Sequence, residues 1–151
     1  MAKFSVEQAA AVAAIQQVIN EWGHELDENN GLSIVEADIL SEDCRYNVGG
    51  VWREGRAAVG QFYREREQRL AAESGVPVMR HVMSNYRVSF VAQDRAEVGF
   101  LLVYFAATGT PHFTSYCDPL AVADVRMECR RDKADEWRIA MFDSGQIFRR
   151  G

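Results

Sequence analysis

The second half of the chain is dominated by long segments predicted to be β-strands, and in one of them, 120–131, apolar and polar residues alternate in the pattern of a strand with one buried face. These segments cover 79–91, 97–107, 120–131 and 136–143. Short polar stretches at 93–94 and 132–135 separate neighbouring segments and predict hairpin connections. Strands joined in this way form an antiparallel sheet, and one face of that sheet must be covered by another layer.

The covering layer is predicted from the first half of the chain, which carries helical patterns. Ser5 and Gln8 form a capping-box signature, and apolar residues at spacings of three and four predict a helix over 6–28. Further helices are predicted over 32–40 and 56–73, and short strands over 44–48 and 51–54.

These elements predict an α+β fold in which three helices from the N-terminal half wrap a cone-shaped, curved antiparallel sheet. No linker, repeat or low-complexity tract divides the sequence, so residues 1–151 are predicted to form a single domain. A sheet wrapped in this way tends to enclose a hollow with apolar walls, where a few polar side chains can converge on a small molecule. The function is therefore expected to depend on the polar residues that point inward.

Composition excludes several classes of function. The formal net charge of −5 argues against nucleic-acid binding and against docking on an anionic membrane, and no apolar run is long enough to span a bilayer. The cysteines Cys44, Cys117 and Cys129 form no CxxC pair, which argues against a disulfide scaffold or a cysteine zinc site and fits a reducing cytoplasm. No nucleotide-binding, hydrolase or metal-ligand motif occurs, so neither a cofactor nor a metal is predicted.

His81 is the first candidate for chemistry. On a regular strand it shares one face with Met83 and Asn85, which makes all three candidate pocket residues. An imidazole in such an apolar setting suits general acid–base catalysis near neutral pH. The alternative is a core histidine whose ring nitrogens are satisfied by hydrogen bonds.

Two further residues could assist this histidine. Asp27 lies near the end of the first predicted helix, at the border of its apolar stripe, from which a carboxylate could reach a cavity and orient an imidazole. It could equally be a solvated acid before a loop. Tyr46 lies in the first short strand, where its phenol could donate to a carbonyl oxygen that gains negative charge, or could be structural.

Two residues of the C-terminal half complete the candidates. His112 follows Gly109-Thr110-Pro111 in a predicted loop and could be a lid residue or merely exposed. Asp143 ends the last predicted strand on the side of Trp137 and Ile139, which makes it a candidate pocket acid.

Four stretches, spread over nearly the whole chain, carry a resemblance to a known superfamily. They are 27–30 (DENN), 40–46 (LSEDCRY), 80–85 (RHVMSN) and 136–140 (EWRIA). In these stretches the sequence resembles the nuclear-transport-factor-2-like (cystatin-like α+β) superfamily. The branch it resembles holds SnoaL-like domains, scytalone dehydratase and the small β subunits of ring-hydroxylating dioxygenases.

The resemblance implies a site as well as a fold. Scytalone dehydratase eliminates water from a β-hydroxy ketone without a cofactor, and Asp27, Tyr46 and His81 match the positions of its catalytic Asp, Tyr and His. Leu26 stands where that enzyme has a second tyrosine, and two apolar residues fall near its polar pocket positions, so scytalone itself is not the expected substrate. The superfamily also implies a homo-oligomer, either a trimer or a dimer.

The expected function is therefore a cofactor-free, dehydratase-like lyase or isomerase acting on a small hydrophobic carbonyl, polyketide-like or aromatic compound. His81 would move the proton α to the carbonyl, and Asp27 would hold the imidazole tautomer and stabilise its charged form. Tyr46 would stabilise the enolate oxygen directly or through a water. Two alternatives stay open: a non-catalytic domain, either a small-ligand binder or a β-subunit-like structural partner of an aromatic-ring oxygenase, and an isomerase with Asp143 as its base.

Overall fold

The computed structural model describes residues 3–115 and 117–151, which form two helices and six strands. The helices are α1 (Val6–Asn29) and α2 (Arg56–Glu73). The strands are β1 (Leu40–Val48), β2 (Val51–Glu54), β3 (Val78–Ala92), β4 (Arg95–Ala107), β5 (Ala121–Arg131) and β6 (Trp137–Arg149). Among these residues, no helix combines the length and the hydrophobicity that a membrane crossing needs.

Helix α1 begins and ends as its sequence predicts. The Ser5 hydroxyl accepts from the backbone N–H of Gln8 at 3.1 Å, and the Gln8 side chain accepts from the backbone N–H of Ser5 at 3.0 Å. These two bonds satisfy donors that the first helical turn would otherwise leave free. The helix stops at Asn30, whose backbone is left-handed with φ 55°, and the apolar stripe is buried against the sheet.

The predicted helix over 32–40 is wrong, because residues 30–38 form consecutive turns that lead into β1. Within this range Asp38 adopts a positive φ angle of 56°, which a right-handed helix does not contain. The Glu25 carboxylate fixes these turns: it accepts from the Asn29 side-chain amide at 2.8 Å and from the backbone N–H of Ser33 at 2.6 Å. A buried acid with two such partners takes the place of helical hydrogen bonding.

The six strands form one curved sheet in the order β2-β1-β6-β5-β4-β3. All neighbouring pairs are antiparallel except β1 and β6, which run parallel. The fold is α+β as predicted, but the sheet is mixed and not purely antiparallel. The hairpin-connected strands leave β6 as an edge, and β1 covers that edge while running in the same direction.

Two of the register shifts in the sheet change the faces on which predicted site residues lie. The pairing of β3 with β4 shifts between Ser84 and Arg87, where Asn85 has φ 59°. The pairing of β5 with β6 shifts between Glu128 and Cys129. A bulge of this kind inserts one residue, so every side chain beyond it alternates in the opposite phase.

Gly31 offers a test of how closely the turns pack against α2. A Cβ at this position would lie 2.5 to 2.9 Å from three ring carbons of Tyr63, and the backbone has φ 77°. We expect Gly31→Ala to lower the free energy of unfolding by about 2–4 kcal/mol, from the left-handed backbone and from overpacking.

Urea denaturation of this variant measures the loss, and Gly49→Ala is its matched control. Gly49 also has a positive φ, 64°, but no atom lies within 4 Å of the added Cβ. The control is expected to lose only about 1–2 kcal/mol, the backbone contribution. Equal losses in the two variants would contradict the close contact with Tyr63.

Candidate active site

A cavity of about 160 Å³ lies between the two helices and the inner face of the sheet, the face that α1 covers. Its apolar lining consists of Trp22, Leu26, Val48, Phe62, Met79, Leu102, Ala121, Ala123 and Phe142. Its polar lining consists of Tyr63, Arg66, His81, Tyr104, Ser144 and Gln146. Apolar walls with a few polar groups are typical of small-molecule sites.

His81 lines this cavity and contacts Asp27, which lies outside the lining. The Nδ1 atom of His81 lies 2.6 Å from Oδ1 of Asp27, and only 11% of each side chain is exposed. The same carboxylate accepts from the backbone N–H of His81, at 3.1 Å to Oδ1 and 3.0 Å to Oδ2. The last turn of α1 is thereby joined to β3 through one carboxylate.

This geometry determines which imidazole nitrogen is available. An ionised carboxylate only accepts, so Nδ1 of His81 carries the proton, and Nε2 keeps a free lone pair when the ring is neutral. The ring lies between Trp22 and Tyr104, with centroid separations of 5.8 Å and 4.8 Å. The Asp27 charge also stabilises the imidazolium that forms when Nε2 takes up a proton.

Tyr46 is fully buried and does not line the cavity. Its ring stacks on Phe142 with centroids 4.5 Å apart. Its hydroxyl accepts from Nε1 of Trp22 at 2.8 Å and lies 2.5 Å from the hydroxyl of Tyr63. Tyr46 therefore contacts three residues that line the cavity, Trp22, Tyr63 and Phe142, without lining it itself.

The direction of the bond between the two tyrosines follows from donor counting. Trp22 can only donate, so the Tyr46 proton needs an acceptor, and Tyr63 Oη is the partner that the described residues provide. Tyr46 thus donates to Tyr63, and the Tyr63 proton is left free for the cavity. Burial raises the pKa of Tyr63 to about 12 and the pKa of Tyr46 well above its usual value, so both phenols stay protonated near neutral pH.

Four other predicted residues lie outside the cavity lining. Met83 is half-buried and packs on α1, close to Gly23. Asn85 is exposed, because the bulge in β3 changes the alternation at that point. Its assignment to the pocket is wrong for that reason. His112 is exposed in the loop between β4 and β5.

Asp143 also lies outside the cavity, against the expectation from its strand position. Ala140 is the extra residue of a bulge in β6, and it reverses the alternation of the strand, so that Phe142 points inward and Asp143 outward. The Asp143 carboxylate accepts from Asn47 Nδ2 at 2.8 Å and from Arg126 Nη2 at 3.3 Å. It is held by outer-face partners and is not a pocket acid.

Sequence reasoning missed Tyr63 and Arg66 as lining residues of the cavity. Tyr63 and Arg66 lie three positions apart on the apolar side of α2, so they share the helix face that packs inward. The signal available in the sequence was Arg66, a charged residue on the apolar face of a predicted helix. Within the described ranges, no three His, Cys, Asp or Glu side chains lie close enough together to hold a metal ion.

The family of the chain follows from its sequence over nearly the full length. The family model for the SnoaL-like domain matches residues 7–143. The chain belongs to the SnoaL-like domain family. No curated protein shows a significant match to this SnoaL-like sequence.

Solved structures share the fold of this SnoaL-like domain at low sequence identity. An NTF2-like protein with a cystatin-like fold from Novosphingobium aromaticivorans has a TM-score of 0.69 and 21% identity, covering 97% of this chain and 92% of its own. A protein provisionally named scytalone dehydratase, from the same organism, has a TM-score of 0.71 and 14% identity, covering 94% and 87%. Hexachlorocyclohexane dehydrochlorinase LinA-type3 from Novosphingobium barchaimii has a TM-score of 0.71 and 14% identity, covering 96% and 92%.

These similarities confirm the superfamily and the cystatin-like α+β fold that the sequence predicts. At these identities the structural matches establish the fold of the SnoaL-like domain alone. The roles of its site residues depend on the geometry of the cavity.

Proposed function

We propose that the protein is a cofactor-free lyase or isomerase that moves the proton α to the carbonyl of a small hydrophobic compound. The observation that carries this proposal is the 2.6 Å contact between His81 Nδ1 and Asp27 Oδ1 at the wall of an apolar cavity. A histidine whose Nδ1 is held by a buried carboxylate has the arrangement of a general base. Acid–base help of this kind contributes about 100- to 10,000-fold to a rate.

The proposed reaction uses three side chains. His81 Nε2 takes the α proton, the C–H electron pair forms an enolate, and the Tyr63 hydroxyl donates a hydrogen bond to the enolate oxygen. In an elimination, the bond to a β-hydroxyl then breaks, and the imidazolium returns its proton to the leaving oxygen as water forms. In an isomerisation, the imidazolium returns the proton to another carbon.

Two of the structural neighbours support an elimination by their names, which describe a dehydratase and a dehydrochlorinase. The alternative of an isomerase with Asp143 as its base has no support, because Asp143 is bound to Asn47 and Arg126 outside the cavity. The alternative of a non-catalytic ligand binder or oxygenase β-subunit-like partner is an outcome of the experiment that follows.

The experiment is a deuterium-exchange assay in D₂O with a panel of monocyclic ketones and β-hydroxy ketones. We expect the protein to accelerate the loss of the α-proton NMR signal, or the formation of the unsaturated product, for compounds that bind. His24→Ala is the matched control for His81→Ala, since it also removes an imidazole, but one that is 71% exposed on α1. Binding of several compounds with no accelerated exchange in any of them would favour a non-catalytic binding domain.

We also propose that the protein self-associates through the outer face of its sheet. Val82, Val103, Val122 and Phe148 pair across four neighbouring strands and form one continuous apolar row. Val82 and Phe148 at its ends are 49% and 68% exposed, and Val103 and Val122 between them are half-buried. A contiguous apolar row that reaches the surface in this way is typical of an interface. Sedimentation equilibrium is expected to give a dimer or trimer that Val103→Glu dissociates and Val91→Glu, outside the row, does not. A monomeric unmodified protein would contradict this.

A cytoplasmic location is proposed from the thiols. Cys44, Cys117 and Cys129 are all free, and two of them are buried. Free thiols persist in a reducing compartment. Cell fractionation that recovers the protein from an oxidising compartment would contradict this location.

A further inference from the structure

Arg66 is a charged residue of the cavity that the proposed proton transfer does not use. It lies on α2, half-buried, with Nη2 at 3.4 Å from Met79 Sδ and 3.5 Å from Tyr104 Oη. In residues 3–115 and 117–151, no carboxylate lies within 4.0 Å of its guanidinium. A guanidinium that is partly removed from water and has no anionic partner favours the binding of an anion.

The mouth of the cavity is positively charged, like Arg66. A second hollow adjoins the cavity, shares Arg66, Tyr104 and Gln146 with it, and is also lined by Arg69 and Arg149. Among the described residues, neither lining includes an Asp or Glu side chain. Arg69 has one distant acidic partner, at 3.8 Å, which leaves its charge largely uncompensated. A positive entrance on a chain of net charge −5 is a local feature and does not follow from composition.

The positions of Arg66 and His81 limit the shape of the ligand. Tyr104 lies between them: its ring centroid is 4.8 Å from that of His81, and its hydroxyl is 3.5 Å from Arg66. The cavity of about 160 Å³ matches a single six-membered ring, since engineered apolar cavities of about 150 Å³ bind benzene. A ring beside His81 would therefore direct a substituent along Tyr104 to Arg66.

We propose that the substrate is a monocyclic carbonyl compound that bears a carboxylate, with the ring in the cavity and the carboxylate on Arg66 at the mouth. The carbonyl part of this substrate rests on the function proposed above. The planar guanidinium can give two parallel hydrogen bonds to a carboxylate, which selects an acid over a neutral amide of the same shape. Arg69 and Arg149 attract the anion to the entrance.

The experiment measures binding rather than turnover, by calorimetric titration at low salt. The probes are 4-acetylbenzoate and its neutral isostere 4-acetylbenzamide, with 4-acetylphenyl phosphate as a third arm. We expect the unmodified protein to bind the acid about tenfold or more tightly than the amide. Arg66→Gln should remove this preference, because it weakens binding of the acid more than binding of the amide. Arg64→Gln, which removes an exposed charge from the same helix, should retain it.

Equal affinity for the acid and the amide, or an unchanged preference in Arg66→Gln, would overturn the proposal. Tighter binding of the phosphate than of the benzoate would overturn the assignment of a carboxylate. His81→Ala separates this inference from the proposed function: it should keep the preference for the acid, whereas the loss of exchange activity in that variant tests the reaction. The carboxylate preference and the proton-transfer reaction can therefore each fail while the other stands.

Discussion

Asp27→Asn is expected to lower the exchange or elimination rate by about a thousandfold or more, with little change in the fold. The substitution keeps the shape of the side chain and removes its charge. The backbone N–H of His81 needs an oxygen acceptor, which Asp27 now provides at 3.0 to 3.1 Å. An amide that offers its oxygen there presents its NH₂ group to Nδ1 of His81.

The tautomer of the imidazole would then be reversed. Nδ1 would have to accept, the proton would move to Nε2, and the nitrogen that faces the substrate would have no lone pair with which to take the α proton. His81→Ala should remove activity to a similar extent, because it deletes the base. The two losses should not add in the double variant, since both residues act on one proton transfer.

The measurement has two parts. Exchange kinetics in D₂O give the rate, and the ¹⁵N shifts of the His81 ring show which nitrogen is protonated, whatever the substrate is. Glu28→Gln is the matched control, as it removes an exposed charge from the adjacent position of α1. A variant that keeps full activity after Asp27→Asn, or a ring whose tautomer does not change, would show that this carboxylate does not orient the base.

The contact between Asp27 and His81 could be predicted from sequence because both residues lie in regular parts of their elements. The helix that places Asp27 follows its capping box and apolar stripe from Ser5 to Asn30. His81 precedes the bulge of β3, so its alternation with Met79 is undisturbed. Regular periodicity carries a side chain to a predictable face for as long as no residue is inserted.

The positions of Asn85 and Asp143 could not be predicted, because one lies within an irregularity of the sheet and the other follows one. Asn85 lies within the bulge of β3, and Asp143 follows the shift between β5 and β6. One inserted residue reverses the face of every later side chain, and neither insertion has a glycine or proline to mark it. The parallel pairing of β1 with β6 is equally invisible locally, since it joins segments about a hundred residues apart.

The burial of Tyr46 is a different case, because its strand and its face were both predicted. Its distance from the cavity depends on rings contributed by other elements, Trp22 from α1, Tyr63 from α2 and Phe142 from β6. No single segment contains that information. The resemblance to the dehydratase places a tyrosine at this position, but the contacts of this chain place Tyr63 between it and the cavity.

Tyr63→Phe is therefore expected to reduce the rate more than Tyr46→Phe does. Loss of a donor to a developing oxyanion costs about 100- to 1,000-fold in rate, and Tyr63 is the phenol that lines the cavity with a free proton. Burial raises its pKa to about 12, so it should remain a donor as the pH rises to about 10. No loss of rate from its ionisation is expected below that pH.

Tyr46→Phe should act mainly on stability. It leaves the buried Trp22 N–H without its acceptor, which costs about 1–3 kcal/mol, and it removes the donor that orients the Tyr63 hydroxyl. We expect a lower urea midpoint and a rate loss of about tenfold at most, so that Tyr46 is a positioning residue. The comparison needs both kcat and urea midpoints for the two variants. A larger rate loss in Tyr46→Phe than in Tyr63→Phe would return the oxyanion role to Tyr46. Removing a hydroxyl that only orients Tyr63 should not lower the rate more than removing the Tyr63 hydroxyl itself.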